Sequence, residues 1–235
     1  MRSLNLRPRV AMAVYAHPDD ADVAAGGVMA LWAREGCAVH LVVVCDGSKG
    51  AHGSPAEPSH LRQVRREELE LAADLLGVHE VHRLDVPDGD VTNSDELRAR
   101  LVGLMRRVRP DVVLGPDPTA TFFGGVYVNH RDHRETGWAV LDAAAPAAAM
   151  PLYYPGEGEA HQVTWLLLSG THEPDVAIDV ASTIDVKVKA VLAHHSQTGD
   201  DAEGVSDVVR GRASQAGRPL GLSYAEAFRS VELAG

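Results

Sequence analysis

The chain has 235 residues, 45% hydrophobic and 23% charged, a globular balance that disfavours a disordered or low-complexity protein. Its formal net charge of −11, from 33 acidic and 22 basic residues, argues against nucleic acid or an anionic membrane as partner, since both require basic patches. Two cysteines, Cys37 and Cys45, exclude a disulfide scaffold. With no signal-peptide pattern and no apolar run near the ~20 residues of a bilayer span, the expectation is a cytoplasmic protein with no membrane span.

Val10 to Ala16 predicts a buried strand, stopped by His17-Pro18-Asp19-Asp20. Apolar residues at helical spacing from Asp22 to Arg34 predict a helix with Gly36 as its stop, and Val39 to Cys45 predicts a second buried strand. Asp46 to Ser59 carries turn signals throughout. His60 to Leu76 predicts a helix, Val81 to Leu84 a strand, and Asp95 to Val108 a helix capped by Thr92 or Ser94. Asp111 to Leu114 reads as a fourth strand, Gly115 to Val128 as loop, and Glu135 to Ala145 as helix. Val163 to Leu168 and Val176 to Val180 are further strand candidates, and Thr183 to His194 predicts a helix. Ser196 to Leu220 is polar and Gly-rich and reads as a flap or partly disordered segment, with a last helix over Ser223 to Val231. No linker or repeat divides residues 1–235, so one domain is expected. The strand–helix alternation predicts an α/β fold: a Rossmann-like open, mostly parallel sheet with helices on both faces. Such sheets bind ligands at the carboxyl ends of their strands.

Two polar clusters follow strands. In His17-Pro18-Asp19-Asp20, His17 and Asp20 are one helical turn apart and can point to one spot, leaving Asp19 uncommitted. A hydrolytic zinc site needs three N or O ligands and a water. The third ligand can come from His130-Arg131-Asp132-His133, where two histidines repeat the spacing. Alone, the first cluster also reads as a helix cap. The remaining histidines, among them His40, His60, His79, His82, His161 and His172, have no partners in sequence and default to the surface. His194-His195 reads as a helix end, with His194 also a candidate for the substrate pocket. Gly-x-Ser-x-Gly, P-loop and dinucleotide fingerprints are absent.

Ala16-His17-Pro18-Asp19-Asp20 paired with His130-Arg131-Asp132-His133 resembles the PIG-L/LmbE-like zinc N-deacetylases. Arg65-Arg66-Glu67-Glu68-Leu69, Pro87-Asp88-Gly89, Arg109-Pro110-Asp111 and the stretch Lys187 to Gln197 extend the resemblance over most of the chain. It implies one zinc ion held by His17, Asp20 and His133, with Asp19 as general base. It implies further that His130, protonated, stabilises the tetrahedral intermediate or acts as an acid, that Asp132 orients a neighbouring histidine, that Arg65 contacts the substrate and that Asp88 lies near the sugar. The implied substrate is a small N-acetylated amino sugar, and the resemblance leaves a homo-oligomer open. Family members often carry a tyrosine two residues before the first histidine of the second motif; here that position is Val128, with Tyr127 beside it. Two alternatives stand at this point: an amidase acting on a larger sugar–thiol conjugate at the same metal site, and a magnesium-binding receiver-like module. The loops 51–59, 119–128 and 196–220 are where substrate choice is expected to reside.

Overall fold

The structure is a computed structural model and describes residues 1–50 and 57–233, so most of the loop expected to help choose the substrate over 51–59 lies outside the described residues. Its elements are β1 (Arg2–Ser3), β2 (Val10–Tyr15), α1 (Asp20–Arg34), β3 (Ala38–Cys45), α2 (Pro58–Leu76), β4 (Glu80–Val86), α3 (Asp95–Val108) and β5 (Val112–Pro116). A short hairpin of β6 (Phe122–Phe123) and β7 (Tyr127–Val128) precedes α4 (Arg131–Asp142). Then follow β8 (Trp165–Ser169), β9 (Val176–Asp179), α5 (Ile184–Ala193), α6 (His195–Thr198), α7 (Ala202–Gly217) and β10 (Ala225–Glu232).

Eight strands form one sheet in the order β1-β9-β10-β8-β5-β2-β3-β4. It is parallel except where β10 runs antiparallel to both β8 and β9. Strand alternation divides the core in two. Ala11, Ala13 and Tyr15 of β2, with Val39, Leu41 and Val43 of β3, face α1 and α2. Met12 and Val14, with Val42 and Val44, face α3 and α4. Because β2 and β5 are buried on both faces, they read as continuous apolar runs, the pattern of a covered parallel sheet.

Two expectations need correction. The segment expected to be a flap or partly disordered is largely helix: Asp201 caps α7 by accepting from the Gly204 N–H at 2.9 Å, and Val209 and Ala213 bury against α5. The terminal stretch expected to be helix is instead β10. Its Ala-Glu-Ala-Phe-Arg composition favours helix, but the strand fills the gap between β8 and β9. There the Glu226 carboxylate accepts from the Gly27 and Val28 N–H groups at 2.9 and 2.7 Å and pairs with Lys187 Nζ at 2.5 Å. Gly27 is required here, since a Cβ would lie 2.8 Å from Val180. The Gly26-Gly27 pair thus serves packing.

Arg106, on α3, is 4% exposed and donates to the carbonyls of Ala147, Ala148, Met150, Tyr153, Tyr154 and Gly158 at 2.8–3.3 Å. One guanidinium therefore satisfies the irregular backbone after α4. Arg106→Met keeps the length but strands these carbonyls; unfolding in urea should show a loss on the order of 3 kcal/mol.

Candidate active site

The first polar cluster leaves β2 at the carboxyl edge of the sheet and turns into α1. Asp19 occupies the position before the helix yet makes no capping bond, so the helix-cap reading fails for its side chain. Its Oδ1 instead accepts from Arg65 Nη2 at 2.6 Å. The second cluster opens α4, where His130 sits at the cap and its Nδ1 accepts from the Asp132 N–H at 3.3 Å.

Three atoms converge between the clusters. His17 Nδ1 lies 3.1 Å from His133 Nε2 and 3.2 Å from Asp20 Oδ2, and His133 Nε2 lies 3.2 Å from the same oxygen. A tetrahedral zinc site with bonds of ~2.0–2.1 Å separates its donor atoms by roughly 3.3 Å. The far side of each ring fixes its tautomer. His133 Nδ1 meets the Asn129 Oδ1 acceptor at 2.9 Å, which places its proton there and leaves Nε2 a lone pair. His17 Nε2 faces Asp88 Oδ1 at 3.3 Å and Asp132 Oδ2 at 3.5 Å, which leaves its Nδ1 a lone pair. With both rings neutral, two lone pairs and a carboxylate oxygen face each other. That donor set fits a divalent cation.

Without a cation the same carboxylates act on His17. Burial alone would lower its pKa, but Asp20, Asp132 and Asp88 outweigh it and hold the imidazole far above its ordinary value. Burial would raise the Asp20 carboxyl, yet His133 and His17 hold it well below the carboxylate range. Asp88 is held down to about 2 and Asp132 is lowered, in each case because His17 and backbone N–H groups overcome the effect of burial. Asp132 is completely buried and also accepts from the Gly89 and Val91 N–H groups.

Two further groups lie near the trio. A nitrogen of His130 lies within 4.8 Å of donors on His17 and His133. However, its Nδ1 is engaged by the Asp132 N–H, so the tighter set with Asp20 is the better ligand set. Burial first, then the charge on His17, push the His130 imidazole below its ordinary value. Burial pushes the Cys45 thiol up to about 11.

Other expected site residues sit elsewhere. Arg65 is 2% exposed, and its Nη1 donates to the Gly47 carbonyl at 3.2 Å. A Cβ at Gly47 or Gly50 would strike the guanidinium, so the Asp46-to-Gly50 turn cradles Arg65. Arg65 holds Asp19 and is not among the residues that line the cavity. Asp88 faces His17, and its other oxygen accepts from the Lys49 N–H at 3.1 Å. His194 is completely buried and bonds Asp22 at 2.6 Å, so it does not line the pocket. Asn129 was absent from the sequence reading; its place one helical turn before His133 is the signal that would have found it.

A cavity of about 700 Å³ opens beside the trio, with Asp19, Asn129 and His133 among its polar lining residues and Val23, Phe123 and Tyr127 among its apolar ones. It is within the size range of small-molecule sites. Tyr127, not Val128, contributes to its wall.

The family profile described as GlcNAc-PI de-N-acetylase (PIG-L) matches residues 12–144, which spans both polar clusters. The chain belongs to the PIG-L family. Among its relatives, the diacetylchitobiose deacetylase of Thermococcus kodakarensis is 31% identical over 220 residues, covering 92% of this chain and 80% of the relative. The structure of N,N'-diacetylchitobiose deacetylase from Pyrococcus horikoshii with its inhibitor MPG superposes with a TM-score of 0.87 at 28% identity, covering 96% of this chain and 84% of that one. The 4-oxalmesaconate hydratase of Pseudomonas putida is 28% identical over 247 residues, covering 98% of this chain and 92% of the relative. PIG-L membership displaces the receiver-like reading, which leaves His17 and His133 without a role. No helix of the described residues is long and apolar enough to cross a membrane.

Proposed function

We propose that this PIG-L member is a zinc-dependent N-deacetylase that hydrolyses the acetamide of a small amino sugar or amino-sugar conjugate, giving a free amine and acetate. The observation that carries this reading is the convergence of His17 Nδ1, Asp20 Oδ2 and His133 Nε2 within 3.1–3.2 Å of one another, with the Asp19 carboxylate, held by Arg65 through Oδ1, lining the cavity beside them. A zinc ion held by these three would supply Lewis acidity to the amide carbonyl and to the attacking water. Asp19 Oδ2 accepts the proton of that water while Arg65 holds Oδ1 in place. His130 donates its Nε2–H to the oxygen on which negative charge develops, an interaction stronger in the transition state than in the bound amide. Asp19 then returns its proton to the departing nitrogen.

A second reading is favoured by one observation: a relative similar over almost the whole chain is named a hydratase. Its printed substrate is a carboxylate. The cavity here contains Asp19 and Asp20, with Arg212 the one cation among its lining residues. That balance suits a neutral amide better than a polyanion. Val23, Phe123 and Tyr127 in its lining suit the face of a sugar ring. Buried, unpaired Cys37 and Cys45 support a reducing, cytoplasmic setting, and the single continuous sheet supports one domain.

Acetate release across a panel of N-acetylated amino sugars and sugar–thiol conjugates tests the assignment. Release should stop on chelation and return with zinc. Release indifferent to chelation, or no acetate from any substrate while an unsaturated carboxylate is hydrated, overturns it.

A further inference from the structure

We propose that His40, Glu80 and His82 form a second divalent transition-metal site at the amino ends of β3 and β4, separate from the hydrolytic centre. In the parallel ladder His40 pairs with Glu80 and Val42 with His82, so the alternation of the strands places all three side chains on one face. His40 Nδ1 lies 3.1 Å from His82 Nε2, and Glu80 Oε2 lies 3.6 Å from each nitrogen. The His79 ring stands 5.2 Å from that of His40 and offers a fourth imidazole at the rim. Both His40 and His82 are 9% exposed, whereas the Glu80 side chain reaches solvent and leaves an entry path. Two imidazoles and a carboxylate suit zinc and its neighbours in the transition series better than magnesium or calcium, which prefer all-oxygen sites.

These histidines are not the surface residues that the sequence suggested. Their rings are nearly parallel, 11° apart, so the metal-free pair shares one N–H···N hydrogen bond. Burial and the neighbouring His82, His79 and Arg107 charges hold His40 below its ordinary pKa against the pull of Glu80. Burial and Arg107 do the same for His82, again against Glu80. Uptake requires the shared proton to move to the other nitrogen of its own ring. Two metal–nitrogen bonds and one metal–oxygen bond then form with no net proton release. Arg107 is a charge placed against the cation.

The site stands apart from the trio at the sheet's other end. His40 is the third residue of β3, and the strand runs on to Cys45 before it reaches the polar end, about 17 Å at ~3.3 Å per residue. Its position on β4, the last strand of the sheet, makes it a clip between that edge and the interior.

Metal-free protein, prepared by chelation and dialysed against zinc, should bind two equivalents by elemental analysis. The pair His40→Ala and His82→Ala should bind one, and the pair His17→Ala and His133→Ala should bind one. If the first pair fails to fold by circular dichroism, Glu80→Gln carries the test, because Glu80 is exposed. That substitution should weaken one of two zinc equivalents by about tenfold or more and leave acetate release unchanged. Saturation of the parent at one equivalent, lost only with His17 and His133, overturns the second site. So does a second equivalent that survives both His40→Ala with His82→Ala and Glu80→Gln. A single equivalent lost with His40 and His82 but kept without His17 and His133 upholds this site and overturns the hydrolytic centre instead.

Discussion

Asp19→Asn should leave the bound metal in place and lower kcat by about 10²- to 10⁴-fold, the range of a lost general base. That is about 3 to 5 kcal/mol of transition-state stabilisation. The substitution changes one atom. Because Asp19 makes no capping bond to α1, the helix start does not depend on its charge. The asparagine oxygen can still accept from Arg65 Nη2, which meets Oδ1 at 2.6 Å, so the side chain keeps its direction. What disappears is the second oxygen, replaced by an amide nitrogen that cannot take a proton from water. His17, Asp20 and His133 are untouched, so zinc content by elemental analysis should equal that of the parent. KM should change little, because the base acts on the attacking water and not on the sugar. Activity within about threefold of the parent, in protein of full metal content, removes Asp19 from the reaction.

The sheet and the paired polar clusters were legible because each rests on a local pattern. Continuous apolar runs such as Val39 to Cys45 mark strands covered on both faces, and charged residues placed straight after such runs mark the ligand-binding edge. What failed was set by distant partners. The Ala225–Glu232 segment has helix-forming composition, but Glu226 is held by backbone N–H groups of α1 and by Lys187, and these fix it as a strand. The glycines of α7 suggested a loop, while its burial against α5 decides for helix. For Arg65 the motif was legible and the surroundings were not. Nothing in Arg65-Arg66-Glu67 indicates that one guanidinium is enclosed by the Gly47 turn and turned toward Asp19. His40 and His82 are 42 positions apart in the chain, so no spacing rule finds them; only the β3–β4 register does.

Removing His17 should have a larger effect than removing His133, although both are ligands of one proposed ion. His17→Ala and His133→Ala should each strip the hydrolytic zinc and abolish acetate release, because a two-ligand remnant does not hold a four-coordinate ion. The difference should appear in the metal-free proteins. His17 is the group that answers three carboxylates at once: Asp20 at 3.2 Å, Asp88 at 3.3 Å and Asp132 at 3.5 Å. The raised pKa of His17 means that its stabilisation is fully present below the ordinary value of ~6.5 and is lost only as pH rises through the folded value. The depressed Asp88 contributes in the opposite sense. Its stabilisation is present above ~3.9 and is lost as pH falls toward about 2. At pH 7 both terms operate in the metal-free parent. His17→Ala leaves buried carboxylates without their cation, a loss on the order of 3–5 kcal/mol. His133→Ala leaves His17 to pair with Asp20 and so costs less. Urea unfolding of the chelated proteins at pH 7 should therefore rank the parent above His133→Ala and His133→Ala above His17→Ala. The reverse order would show that His17 is not the charge these carboxylates share, and a full equivalent of zinc in both variants would remove the trio from the ligand set.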